Sequence, residues 1–281
     1  MENFNYKQAL RQNNIAYLGK TRQSAKLKYS YANGVETYGI YLAPATLARD
    51  ENHPNLNVCP FSQVCAAFCL NKSGHNRCET LHIGLNERSK IDAARIRKTH
   101  LFYDNRELFM QILIHELLAA KKHAEQNGLG FAVRLNCTSD ISPEQFIYKG
   151  KNILEIFPDI QFYDYTKVPS RLILMEKYSN YHLTFSYDGS RENEIVSKNF
   201  LAQGGNVAIV FDTLNDKGQQ ILPKTFWGFE VEDANKSDTR FLAKKSTIQG
   251  LHYHRTANDY RMVNGKYVYS PSETTFIVRK L

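Results

Sequence analysis

Cysteine is scarce in this chain, five in 281 residues, and four of the five fall within NVCPFSQVCAAFCLNKSGHNRC, residues 57–78. Other features are missing altogether. No run of about 18 apolar residues occurs, and the opening MENFNYKQALRQNN is too polar for a signal-peptide core. These absences predict a cytoplasmic protein with no membrane partner. Thiols stay reduced in that compartment, so clustered cysteines read as metal ligands or redox groups rather than disulfides. No linker rich in Pro, Gly or Ser divides the chain, which predicts a single α/β domain over 1–281.

What is present suits a globular protein. Hydrophobic residues make up 42% and charged residues 23%, enough apolar material for a real core. The net charge of +8 admits nucleic acid or any anionic ligand without choosing between them. Basic residues concentrate in segment 1–35, with Lys7, Arg11, Lys20, Arg22, Lys26 and Lys28 against Glu2. A solvated basic face accounts for that segment as readily as phosphate contacts do, and the same holds for Arg95, Arg97 and Lys98.

Two patterns organise the chain. ETYGIYL (36–42) reads as a first strand ended by Pro44, and helical spacing follows over 87–104 and, more regularly, 106–126, where Asn127-Gly128 signals a stop. Then strand-like runs GFAVRLN, IQFYDY, YHLTFSYD and NVAIVFD alternate with helix-length intervals. Such alternation predicts a parallel sheet with right-handed crossovers, and the fold expected is a βα (TIM-like) barrel or partial barrel carrying an N-terminal cysteine loop. Asp140, Asp164, Asp188 and Asp212 recur every 24 residues near the ends of these runs, where βα folds place ligand groups. Further strands are expected in KTFWGFEVE and TIQGLHYH, and a tight turn at Asn264-Gly265. His252 and His254 share a strand face, a spacing that can ligate metal but more often serves structure.

Cys59, Cys65 and Cys69 are spaced C-x5-C-x3-C, with Cys78 further along. Three readings stand. Four thiolates, or three with His75, close a structural zinc site, although the first spacing exceeds the usual short knuckle. Three thiolates in one loop hold a 4Fe-4S cluster and leave the fourth iron open to a small-molecule or anionic ligand. Without metal, the thiols act as small apolar groups.

YLAPATLA, NVCPFSQVCAAFCL, RLNCTSDI, QFYDYTK, YHLTFS and NVAIVF, in that order, resemble the phage gene-product-eighty-eight family, whose function is unassigned. The resemblance implies a phage protein acting in the bacterial host cytoplasm, with a metal triad at Cys59, Cys65 and Cys69. A more distant resemblance is to the radical S-adenosylmethionine enzymes, partial barrels with a three-cysteine loop after the first strand. It implies S-adenosylmethionine at the open iron and an ammonium held by Asp140. The spacing here differs from their C-x3-C-x2-C.

Alternation within strands completes the expectation. In FAVRLN, Phe131, Val133 and Leu135 oppose Ala132, Arg134 and Asn136; in YHLTFS, Tyr181, Leu183 and Phe185 oppose His182, Thr184 and Ser186. With the apolar face toward helices, Arg134, Asn136, Asp164, Thr184 and Ser186 line a polar chamber, either a ligand site or a self-satisfied network. The substrate-binding set is Asn136, Asp140, Asp164, Lys167 and Ser186. The expected function is therefore an iron-sulfur protein with an open iron facing a barrel mouth, as a radical enzyme or a Lewis acid. The alternative is a basic nucleic-acid-binding protein with a structural zinc or cluster.

Overall fold

Runs of β-branched and aromatic residues alternate with helical segments, and the chain lays most of these strands side by side in sequence order. The computed structural model describes residues 4–22, 24–62, 65, 66, 68, 69, 89–254, 259–264, 266–270 and 274–279. Cys78 and His75 lie outside them. The helices are α1 (Tyr6–Gln12), α2 (Ala25–Tyr29), α3 (Lys90–Asp104), α4 (Arg106–Gln126), α5 (Ile153–Ile156), α6 (Leu174–Lys177) and α7 (Arg191–Ala202). The strands are β1 (Gly19–Thr21), β2 (Val35–Ile40), β3 (Gly130–Arg134), β4 (Gln161–Thr166), β5 (Tyr181–Ser186) and β6 (Asn206–Phe211). Shorter ones follow as β7 (Thr213–Leu214), β8 (Gln220–Ile221), β9 (Thr225–Phe226), β10 (Phe229–Asp233), β11 (Ile248–His252), β12 (Tyr260–Val263), β13 (Lys266–Tyr269) and β14 (Ile277–Val278).

Local chemistry explains the boundaries. The Ser89 hydroxyl accepts the Asp92 N–H at 3.0 Å to start α3, and Asn105 does the same for α4 through the Leu108 N–H at 3.0 Å. Gly128, at φ +67°, turns the chain out of α4 as the sequence signals. KTFWGFEVE is two strands rather than one. Trp227 and Gly228 both take positive φ, which folds β9 back antiparallel on β10. The turn at Asn264, φ +47°, joins β12 to β13 as expected.

The main sheet runs β1-β2-β3-β4-β5-β6-β11-β10-β9. Neighbours from β2 to β6, then β11 and β10, are parallel, whereas β1 and β9 are antiparallel at the two edges. Sequential order with right-handed crossovers puts the crossover helices on one face. On that face Ile112, Leu113 and Leu117 of α4 pack with Tyr38, Ile40, Val133, Phe162 and Leu183. A second core joins Phe200 and Leu201 of α7 to Phe185, Val207, Ile209 and Phe211.

No barrel closes among the described residues. The sheet ends at β1 and β9, and the face that would line a lumen is covered by the chain's own segment 237–241. Asn33, before β2, donates to Ser237 and Thr239 at 2.9 Å, and Arg240 donates to Gln249 of β11 at 2.7 Å, so the segment crosses the sheet between them. Arg134, which the sequence points into a lumen, helps hold this cover through Asp238.

One feature of the sheet shapes the site below. β5 pairs with β6 only as far as Ala208, and beyond it β14 pairs with the same edge at Val210 and Phe211. The two strands therefore splay at their C-terminal ends, and β14 wedges the gap. Gly189, just past β5, has φ +90°, and a Cβ there would stand 2.3 Å from the Thr275 backbone carbon. Gly189→Ala is expected to lower stability by about 3 kcal/mol, through a strained φ and a clash that backbone cannot relieve. The shift in denaturant midpoint measures it.

Candidate metal centre

The cysteine loop leaves the C-terminal end of β2 and is tied to the loop after β3. Val58 N–H bonds the Ala45 carbonyl at 3.1 Å, and Asp140 N–H bonds the Val58 carbonyl at 2.8 Å. Between these ties sits Cys59. Its backbone N–H is held by the Asn57 side chain at 2.9 Å, its sulfur accepts the Ala45 N–H at 3.4 Å, and its thiol reaches the Thr138 carbonyl at 3.6 Å. Ala45 takes a left-handed φ of +48°, a conformation unusual for a residue with a Cβ, next to the thiol it serves. Cys65 and Phe68 rest instead on Tyr253, Phe276 and Ile277, the cluster that the β14 wedge creates. Sequence-distant parts of the chain thus meet around one loop.

Each of the three thiols of Cys59, Cys65 and Cys69 is partly buried. Burial pushes the Cys59 thiol up to about 12, the N–H of Ala45 opposes this, and Cys69 and Cys65 add to it through their own charge. Burial also raises Cys65, while the Lys167 ammonium pulls it back. The thiols are close enough to feel one another, yet not gathered onto a single point. Among the described residues, the set of three ligand atoms mutually within 4.8 Å is Asp50, His53 and His100. A tetrahedral zinc ion gathers its thiolates onto one centre with Zn–S bonds of about 2.3 Å, whereas a cubane takes each thiolate on a different iron.

Cationic groups surround the loop. Lys167 follows β4; its Nζ donates to Ser186 Oγ at 2.6 Å and lies 5.2 Å from the Phe276 ring centroid. Arg95 of α3 lies 5.3 Å from the Tyr41 ring centroid, has Nη1 buried without a hydrogen-bond partner, and is close enough to Cys69 for their charges to interact. Neither Arg95 nor Lys98 belongs to a solvated helix face, since Lys98 is 4% exposed and the Arg95 guanidinium is largely enclosed. Arg97, on the same helix, caps the Asn14 carbonyl at 2.7 Å.

The substrate set read from sequence divides in two. Lys167, Ser186 and Asp140 do come together beside the thiols. Asp140 is already engaged, however, with one oxygen on Arg171 Nη1 at 2.7 Å and the other on the Lys167 N–H at 2.8 Å. It works as a clamp between the loops after β3 and β4. Asn136 and Asp164 belong elsewhere: Asp164 shares the parity of Phe162 in β4 and so faces the helices, not the polar side. It accepts from the Asn136 backbone at 2.7 Å, from Asn136 Nδ2 at 3.0 Å and from the Tyr181 hydroxyl at 2.9 Å. The remaining Arg134 and Thr184 lie on the polar face, where Arg134 pairs with Asp238 at 2.7 Å. The chamber is only partly satisfied: Arg134 is paired through Nη1, but its Nε, Thr184 Oγ1 and His182 Nε2 are buried there without a partner. Lys167 does not pair with Asp164.

Asp164 has a measurable signature. Burial raises its carboxyl from the ordinary 3.8 to about 6, against the opposing pull of Arg171 and its hydrogen bonds. The folded state then binds this proton more tightly than the unfolded chain, so the contribution of Asp164 to stability is fully present below about pH 4 and is lost as pH rises to about 6. The loss attributable to this group is on the order of 3 kcal/mol. Asp164→Asn is expected to flatten that part of the pH profile of unfolding free energy.

Arg171 and Asp238 are missed by sequence reasoning, because nothing in their local spacing marks them, and Arg95 is marked there only as a solvated or phosphate-contacting group. The same is true of the Asp50, His53 and His100 cluster. There His53 bridges Asp50 at 2.8 Å and Asp104 at 2.7 Å, and His100 Nε2 is on the Ala48 carbonyl at 2.7 Å. Each of these contacts already uses a nitrogen that a metal would need, so the cluster stands as a hydrogen-bonded pair of stacked rings, centroids 4.4 Å apart. His252 and His254 enter no such set among the described residues.

A family model described as Gene product 88 matches residues 8–265, nearly the whole chain, and the chain belongs to that family. This agrees with the ordered motifs of the sequence; the radical S-adenosylmethionine likeness gains no support. No curated protein and no solved structure matches.

Proposed function

We propose that this member of the Gene product 88 family binds a 4Fe-4S cluster through Cys59, Cys65 and Cys69, with the fourth iron open toward Lys167 and Ser186. The observation that supports this reading is the placement of three interacting thiols in one loop at the C-terminal ends of parallel strands, beside the Lys167 ammonium. Lys167 and Arg95 offset the charge of three thiolates, and they leave cationic hydrogen-bond donors for an anionic small-molecule ligand at the open iron. When bound, the cluster supplies Lewis-acid or one-electron chemistry. The chain's own residues orient the loop through Ala45, Asn57 and Thr138, and Asp140 fixes the backbone that carries Lys167.

Because the thiols are held protonated by burial, loading must displace protons and weakens as pH falls. Protein purified without oxygen is expected to be brown, with iron and acid-labile sulfide in equal amounts and visible absorption that dithionite bleaches. A colourless protein with one equivalent of zinc overturns the reading.

A further inference from the structure

A second cleft, of about 520 Å³, opens on the helical face beside β1. None of its lining residues belongs to the thiol site, and the inference drawn from it does not rest on the metal reading. Its floor is Glu116 of α4, 9% exposed, beneath the Tyr38 ring. The Glu116 carboxylate is turned to the protein itself: it accepts the N–H groups of Leu18 at 3.0 Å and Gly19 at 3.1 Å, and the Tyr38 hydroxyl. Gly19 is required here, since a Cβ would lie 2.4 Å from the Tyr38 ring. The acid therefore organises the cleft from its floor, and its charge is met by Lys98 behind the wall.

The mouth is cationic. Lys7, Arg11 and Lys20 line it, all three exposed, and none of them enters an ion pair among the described residues. Lys98 adds a further positive charge behind the wall, its Nζ 4.5 Å from the Tyr17 ring centroid. The walls are of a different character. Leu10, Ile15 and Ala120 make them apolar, and Tyr6 lines one side with its ring stacked on His115 at 5.8 Å. A cationic rim over an apolar, aromatic-walled space selects an anion with a flat organic part. The volume falls within the roughly 300–1,000 Å³ usual for small-molecule sites.

We infer that this cleft binds a nucleotide-sized phosphate monoester, its phosphate on Lys7, Arg11 and Lys20 and its base against Tyr6. Two sources present this chemistry, a free nucleotide and the phosphorylated end of a single strand. Titration calorimetry at about 50 mM salt, where surface charges are weakly screened, tests it with five probes. These are adenosine monophosphate, adenosine, inorganic phosphate, a 5′-phosphorylated thymidine hexamer and the same hexamer without its phosphate.

The expected result is binding that the terminal phosphate strengthens at least tenfold, about 1.4 kcal/mol. Binding of the mononucleotide identifies a free nucleotide as occupant, and binding of the phosphorylated hexamer alone identifies a strand end. Arg11→Glu and Lys20→Glu should each weaken binding about tenfold. Lys217→Glu, in the exposed turn between β7 and β8, should leave it unchanged. These rim variants lie on the surface, so matching thermal unfolding curves confirm that they fold. Equal affinity with and without the phosphate, unaltered affinity in both rim variants, or no binding of any organic probe overturns the inference. Iron content is expected to be the same in all of them, which separates this result from the thiol site.

Discussion

Serine at Cys59, Cys65 or Cys69 is expected to remove nearly all the iron and sulfide from protein prepared without oxygen, while serine at Cys78 or Cys137 is expected to leave both in place. The division follows from where each thiol stands. Cys59 is gripped by Ala45 and Thr138, and its electrostatic neighbours are Cys69 and Cys65. Cys137 lies across the sheet's polar face instead, with its sulfur 3.7 Å from the Arg134 carbonyl and close against Gly39. Burial pushes its thiol up to about 12, so it stays protonated and apolar in behaviour. On the proposed reading three cysteines then account for the cluster, and the fourth iron would keep an exchangeable ligand. Metal lost on Cys78→Ser would contradict that count and close the site. Iron and sulfide assays, with visible spectra, read each variant.

The second large effect is on stability. Asp238→Ala is expected to cost about 3–5 kcal/mol, because it strands a buried guanidinium. Asp238 is fully buried and receives Arg134 at 2.7 Å, Tyr163 at 3.1 Å and Tyr165 at 3.4 Å, three donors from two strands. It is also the inward anchor of the segment that crosses the open sheet. Without it, Arg134 loses its charge partner and segment 237–241 keeps β4 only through Arg240 on Tyr165 and Phe241 on Tyr163. Asp238→Asn keeps the shape and one acceptor, so it should recover part of the loss. Chemical denaturation of the two variants measures the difference, and equal stability of Asp238→Ala and wild type would remove the anchoring role.

Much of the fold was legible from local pattern. Strands β3 to β6 and helices α3, α4 and α7 follow alternation, helical spacing and capping residues, which are properties of short windows. The barrel expectation failed for a reason that no window contains. Whether a parallel sheet closes depends on what occupies its concave side, and here Asp238 and Arg240, far along the chain, satisfy Arg134, Tyr165 and Gln249. The site was legible in the same measure. Cys59, Cys65, Cys69, Lys167 and Ser186 stood out by spacing or by position at strand ends. Asp164 was misplaced because the β4 register sets its parity by Phe162, and Arg95, read as a solvated or phosphate-contacting group, is enclosed against Tyr41 in a helix whose amphipathic pattern is weak.

The β14 wedge carries a consequence for biosynthesis. Ile277 and Val278 leave the ribosome long after β5 and β6, yet they fill the gap between those strands and, with Phe276, support Cys65 and Phe68. A nascent chain can pair β2 through β6 while its cysteine loop still lacks the surface on which it rests. The surface under Cys65 and Phe68 therefore forms only once β14 has joined β6, and a chain cut short before β14 is expected to leave the cysteine loop without that support.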